Sequence, residues 1–490
     1  MNSSAGKSDR HDSISGATGK DATRKLARHA ANCPYEALPS ALVELTKLCV
    51  LDTLGVSLGA TTLAPEARMV TDYVKDFGGN PESTLIGFGG KAPTPWAVFA
   101  NGSLAHMLDY DGVSASSDGH LFGHLSVATV PVAFAVAEKL GGVSGRDLIT
   151  AIACGTDVYT RVALSIDIPD WGMKEGWLPS QLLGYLSAAA TAGRLLGLNE
   201  EQMDNAFGIA FNQMSGSRQM AVGAASHMRS MQTGFSGYGG TMAAQLAQAG
   251  LIGSKEILEG RYGLYKTYVR TATPNWEALV GELGTRFSLL TTHGFKIWPS
   301  CAFTREVNAA VLSLRQDAGV KPEDVESMTI VGGTAATQLL SEPLELKRRP
   351  QSSIDAKFSI PFTAAIMMVN GNVTLRDYSD AGLRDPRVLA MAERISYRGI
   401  LAASGAKTGH AAPPGVEILT RDGRTLRHTA DGVPGDPANP VDHKRLVEKF
   451  RDCVSFAARA PSAANIDRSI EMLADLENIP DATEIVRLLG

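Results

Sequence analysis

LPSALVELTKLCVLDTLGVSL, residues 38–58, decides the class of the fold. Its apolar side chains recur at i, i+3, i+4 and i+7, the repeat of a helix that buries a face, and they do not alternate as in a strand. The repeat returns in VAFAVAEKL (132–140), SGRDLITAIACGTDVYTRVAL (144–164), AAATAGRLLGL (188–198) and NEEQMDNAFGIAFNQM (199–214), so residues from about 36 to 270 are expected to form an all-α body. Ser144, with Asp147 three residues on, reads as an N-cap, and Gly197 and Gly250 read as helix stops. SAAATAG (187–193) and GGTMAAQLAQAG (239–250) present small side chains that let helices approach closely, which places both at the centre of the body. Arg194 and Gln245 beside them weaken the rival reading, a membrane-type small-residue motif.

After about residue 285 the texture changes. VESMTIVGGTA (325–335) reads as a strand, VEILTRDGRTLRHTA (416–430) as two strands turning at Asp422-Gly423, and SIPFTAAIMMVNG (359–371) as a helix between them. An α+β domain is therefore expected over 285–425. Helical periodicity resumes in VDHKRLVEKFRDCVSF, RSIEMLADLE and ATEIVRLLG, so residues 426–490 are expected to dock back on the helical domain begun at 25–284 and make it discontinuous. The fold class is mainly α with an α+β second domain.

At 490 residues two domains are the default. A charged fraction of 20% and a net charge of −5 without a basic stripe leave no case for a nucleic-acid partner. Cys33, Cys49, Cys154, Cys301 and Cys453 form no CxxC pair, and with no signal peptide they read as reduced thiols of a cytoplasmic protein without a zinc or iron–sulfur framework. The longest strongly apolar run, 125–137, falls short of the ~20 residues of a membrane span. Residues 1–24, rich in Ser, Gly and mixed charge, read as a disordered extension, and Asp9, Asp12 and Asp21 argue against an acid-poor transit peptide.

Three clusters carry chemistry. AHMLDYDGVSASSDGHLFGH (105–124) packs His106, Asp109, Asp111, Asp118, His120 and His124 into a Gly/Ser-rich loop, a set suited to proton transfer near neutral pH or to metal binding. For His106 and Asp111 a helix cap or a surface position is an equal reading, whereas Asp109 and His124 bracket the loop against apolar helices, where burial shifts pKa values. No HExxH or comparable spacing supports a metal. In SHMRSMQTGFSGYGG (226–240), Arg229 precedes Gly234, Gly237, Gly239 and Gly240, residues that admit a close backbone or ligand. Arg229 is read as a carboxylate grip or as a surface salt bridge, and with no GxxxxGK[ST] nucleotide binding is rejected. In HGFKIWPSCAFTR (293–305), Lys296, Cys301 and Arg305 stand where the helical half gives way to the α/β half, a place for a cleft; Lys296 is read as a carboxylate anchor and Cys301 as a nucleophile or a small buried residue.

In chain order, AHMLDYD, HLSVATVPVAFAVAE, GWLPSQLLGYLSAAATAGRLLGL, GFSGYGGTMAAQLAQAGLIG with LEGRYG, KIWPSCAFTR, DAKFSIPFTAAIMMVNGNV and EKFRDCV resemble the MmgE/PrpD family over nearly the whole chain after about residue 24. That family includes 2-methylcitrate dehydratase, cis-aconitate decarboxylase and iminodisuccinate epimerase. The resemblance implies a helical domain from both chain ends, an inserted α/β lid domain, a homodimer, and an active site between the domains without metal or cofactor. It places the first aspartate of the family's LDxDD motif on Asp109, the histidine of HPS on His124, the lysine of KxYPxC on Lys296, and a position held by Cys or His on Cys301.

The departures are specific. GWH reads GWL, with Leu178 for histidine; in TKxxHxG the lysine is Arg229 and the histidine Gln232. The last aspartate of LDxDD is Gly112, Leu125 replaces the proline after the loop histidine, Phe362 replaces the tyrosine of FSxPY, and a longer loop brings in His120. The expected reaction passes through an enolate-like carbanion beside a carboxylate of a small polycarboxylic acid. Asp109 and His124 are the expected acid/base pair, Cys301 and His120 further proton carriers, and Arg229, Lys296 and Arg305 the carboxylate-binding cations. A lyase, dehydrating or decarboxylating, is the first reading, an epimerase or isomerase the second, and an inactive carboxylate-binding protein the third.

Overall fold

Ser40–Leu63 forms one helix of 24 residues, and from Cys49 to Thr61 every residue of it is buried. The expected single buried face therefore holds only for its first turns; farther on, helices Thr94–Met107 and His443–Val454 pack against it and close off the remaining sides. The structure, a computed structural model, describes residues 19–116, 121–221, 226–271, 273–332, 335–399, 414–430 and 432–490. Ser126–Lys139, Gly145–Ser165, Gly184–Leu195, Glu200–Phe211 and Met228–Gln248 complete the helical body. The Ser144 side chain accepts from Asp147 N as the cap requires, and Gly197 and Gly250 take positive φ values of 69° and 95°.

The central crossing is that of Met228–Gln248 with Thr94–Met107 and Gly184–Leu195. A Cβ on Gly234 would stand 2.5 Å from the Phe99 carbonyl oxygen, and one on Gly240 2.6 Å from that of Tyr185. The glycines after Arg229 thus serve helix–helix contact, the backbone half of the sequence expectation, and form no ligand loop.

A second core, from Trp298 to Ile418, lies under a four-stranded sheet ordered Ile395–Arg398, Val325–Val331, Gly415–Thr420, Thr425–Thr429. The strand and hairpin read from the sequence are present; Ile395–Arg398, which pairs parallel to Val325–Val331, is an addition. Burial alternates along Gly415–Thr420, whose inner face meets helix Arg305–Gln316, which packs in turn on Ile360–Asn370.

Residues 1–18 of the expected extension lie outside the described residues, but its end is ordered: helix Ala22–Asn32 buries Ala22, Leu26 and Ala27, and Thr23 Oγ1 donates to Glu259 at 2.5 Å. Among the described residues no helix is long and apolar enough to cross a membrane.

A buried ion pair joins the two chain ends. Lys449 Nζ stands 2.6 Å from Asp52 Oδ1 and donates to the carbonyls of Tyr110 at 2.6 Å and Lys296 at 2.9 Å, while Asp52 Oδ2 accepts from Gly112 N at 3.0 Å. Removing one partner leaves a buried charge uncompensated, which costs about 3–5 kcal/mol, whereas apolar replacement of both is far milder. Lys449→Met is expected to lower the urea midpoint strongly and Asp52→Leu/Lys449→Met to recover most of it; equal losses in the single and double variants would refute this coupling.

Candidate active site

A three-stranded ribbon brings the first and third sequence clusters together: Val113–Ala115 pairs with Phe122–Gly123 on one side and His293–Gly294 on the other. The loop after helix Thr94–Met107 is thereby held against the segment that carries Lys296. Asp109 turns the chain with φ +49°, a left-handed conformation uncommon outside glycine and tolerated best by Asp and Asn. Its amide donates to the His106 carbonyl at 3.0 Å.

Lys296, fully buried, donates through Nζ to both the carbonyl oxygen and Oδ1 of Asp109, each at 2.8 Å. Oδ2 of Asp109 has no hydrogen-bond partner and is buried at the cavity wall. Burial works to raise the Asp109 pKa, but Lys296 and then Arg229 outweigh it and hold the carboxyl below its ordinary value.

Asp111, also fully buried, bridges two imidazoles: its Oδ1 is 2.9 Å from His106 Nδ1 and its Oδ2 2.7 Å from His124 Nδ1. Nε2 of His106 meets Gln232 Nε2 at 2.7 Å and Arg229 Nη1 at close range. Arginine only donates, so Nε2 of His106 accepts and its Nδ1–H donates to Asp111. Burial is the main cause that lowers the His106 pKa to about 4, with His124 and Arg229 adding to it against Asp111. His106 is therefore neutral near pH 7. Despite burial, His106 and His124 hold the Asp111 carboxyl well below its ordinary range.

His124, Asp109, Arg229, Cys301, Arg218, Leu178 and Phe358 are among the residues that line a cavity of about 50 Å³. The Cys301 thiol is pushed up to about 11 by burial and by Asp109, so it is protonated near pH 7. Arg305 does not join this cavity; its guanidinium pairs with Asp436 in the wall of a neighbouring cavity of about 690 Å³. His120 lies outside the described residues.

His106 and Asp111, for which a surface or capping position was an equal reading, are at most 1% exposed and sit at the centre of the cluster. Lys357 was passed over entirely: it is buried behind Cys301, whose amide donates to its carbonyl at 3.0 Å, and burial lowers its pKa to about 8. A lone buried lysine inside DAKFSIPF carries no spacing signal that could have found it.

Ligand atoms of His106, Asp109, Asp111 and His124 come within 4.8 Å of one another, the reach of a metal site. The donor set does not fit one. Both Nδ1 atoms are committed to Asp111, Lys296 occupies Asp109 and Arg229 occupies His106, so a dication would have to displace two cations. The cluster is built for protons and anions.

Two family models match the chain. The model of the MmgE/PrpD N-terminal domain matches residues 24–277, and that of the MmgE/PrpD C-terminal domain residues 298–475. Human cis-aconitate decarboxylase is 26% identical over 464 residues, which cover 92% of this chain and 91% of that protein. Cis-aconitate decarboxylase of Aspergillus terreus is 23% identical over 485 residues, 96% of each. The 2-methylcitrate dehydratase of Salmonella typhimurium is 22% identical over 485 residues, 91% of this chain and 93% of that protein.

The ribbon adds a measurable property. Burial lowers the pKa of His293, whose Nδ1 lies 2.9 Å from Ser114 Oγ, from 6.5 to about 4. Its folded-state pKa lies below the unfolded one, so between those values the unfolded chain binds the extra proton. Stability is therefore expected to fall as pH drops from 6.5 toward 4, and His293→Asn to flatten that slope in chemical denaturation. An unchanged slope would refute the assignment.

Proposed function

Because the chain belongs to the MmgE/PrpD family, we propose that it is a lyase acting beside a carboxylate of a small polycarboxylic acid, with decarboxylation of a cis-aconitate-like tricarboxylate as its reaction. The observation that carries this reading is the Asp111–His124 pair in the cavity wall. Asp109 is held ionised, Cys301 is held protonated, and among the described residues His124 is the only imidazole lining the cavity. His124, paired with Asp111, is the group assigned to move one proton.

Decarboxylation needs just that. The bond between carbon and the departing carboxylate breaks, CO₂ leaves, and the electron pair stays on the substrate as a carbanion spread toward the neighbouring unsaturated carboxylate. A proton held on Nε2 of His124 passes to carbon, and Asp111 at Nδ1 stabilises the imidazolium that precedes transfer. Arg229, in the cavity wall, holds a substrate carboxylate and offsets the developing charge, while Lys296 pairs with Asp109 beside it. Dehydration would need a base for the carbon proton and an acid for the hydroxyl, and epimerisation a base on each face.

The test is turnover of cis-aconitate, 2-methylcitrate and iminodisuccinate in deuterated buffer. CO₂ release with one solvent deuteron on product carbon is expected. A new double bond with loss of water would make the enzyme a dehydratase; deuteration with inversion, an epimerase; tight binding with no product, a carboxylate-binding protein. His124→Gln is expected to lower kcat by roughly 10²–10⁴ and Asp109→Asn to lower it by leaving Lys296 without its carboxylate, and intact turnover in both would overturn the site.

The same reading takes the chain as a cytoplasmic homodimer. Five free cysteines support a reducing compartment. An exposed aromatic face supports the dimer: Met69, Tyr73 and Phe77 are 64%, 53% and 53% exposed, Phe77 stacks on Trp96 at 4.4 Å, and Trp96 meets Tyr238 at 4.8 Å. Sedimentation is expected to find a dimer that Tyr73→Glu/Phe77→Glu converts to monomer; a monomeric parent protein would refute it.

A further inference from the structure

Arg218 belongs to none of the motifs read from the sequence, yet the fold delivers it to the cavity. Trp177 and Ser217 form an isolated antiparallel bridge; beside it Leu178 N donates to Gly216 O at 2.7 Å and Arg218 N donates to Gly176 O at 2.8 Å. The pairing sets Arg218 next to Leu178, and both side chains line the small cavity with Arg229. Leu178 is wholly apolar, so of these two neighbours Arg218 is the hydrogen-bond donor.

Among the described residues the guanidinium has no ion-pair partner and makes no side-chain hydrogen bond. Burial and then the nearby Arg229 lower its pKa, while Cys301 and Asp170 pull the other way from a distance. Two arginines that repel each other at one cavity are stable together when an anion lies between them.

Arg218 also lines the 690 Å³ cavity, and with Ala302 and Phe303 it is common to both walls. The smaller cavity, of about 50 Å³, is the one that His124 lines. Arg218 stands where the two cavities meet, on the path of a substrate that extends from the smaller into the larger. We propose that Arg218 is the specificity residue of this site, binding through its fork the substrate carboxylate farthest from the reacting carbon and so selecting tricarboxylates over dicarboxylates. This rests on the polycarboxylate reading above.

The test uses propane-1,2,3-tricarboxylate and succinate as unreactive probes in calorimetry with the full chain. Arg218→Gln is expected to weaken the tricarboxylate by roughly 10- to 100-fold, the loss of charge-assisted hydrogen bonds, and to leave succinate within about twofold. Arg218→Lys is expected to fall between, and circular dichroism to match the parent in both. In turnover, KM rises with kcat nearly unchanged. A folded Arg218→Gln protein that binds the tricarboxylate as the parent does would overturn the proposal, as would a parent that binds succinate equally well. Tricarboxylate binding that depends on Arg218, with no turnover of any polycarboxylate, would sink the lyase reading and leave this one standing.

Discussion

A lysine ammonium without solvent must be surrounded by oxygen, and Lys449 finds its oxygens on residues 52, 110 and 296. Leaving such a charge unpaired costs several kcal/mol, so those segments and the helix His443–Val454 are obliged to meet at one point. The consequence reaches the candidate site as well as the fold. Fixing the Lys296 carbonyl aims its side chain at Asp109, and fixing Tyr110 and Gly112 holds the loop that presents Asp109 and Asp111. The left-handed turn at Asp109 persists because both of its flanks are pinned.

Charge then decides what the pocket accepts. Asp52, Asp109 and Asp111 are matched by Lys449, Lys296 and Arg229 around a neutral His106. Arg218 and Lys357 are left over, for among the described residues neither has a carboxylate in ion-pair distance. A cluster that is balanced and then given two further cations is complementary to an anion of more than one charge, and it opposes an added metal dication.

The helices were legible because burial on a helix repeats every three to four residues, and Ser40–Leu63 and Gly145–Ser165 announce that period. Ile395–Arg398 was not, since four residues show no period. Asp109, His124, Lys296 and Arg229 could be named from the sequence because they punctuate their motifs, and the structure brings them together. His106 and Asp111 were ambiguous, because polar residues in a Gly/Ser loop are usually solvated. What buries them is the pairing of Ser114 with His293, a contact across 179 positions that no local pattern foretells. Arg305 shows the opposite error: a cation at the domain junction was a sound expectation, but Asp436 takes it.

The rebuilt positions also bear on which reaction the scaffold supports. Gln232 stands where the family resemblance implies a histidine, and Gln232 and Arg229 together press two donors onto Nε2 of His106. That forces the proton onto Nδ1, commits it to Asp111, and removes His106 from acid–base chemistry. Asp111 is then a fixed acceptor with its other oxygen on His124. Leu178 takes a further ionisable group out of the wall. Each change subtracts a proton carrier, which leaves the proposed proton transfer to His124, backed by a carboxylate that two imidazoles keep ionised despite burial. A site so reduced suits chemistry in which the leaving group departs without a proton and carbon receives one, and that describes loss of CO₂ better than loss of water.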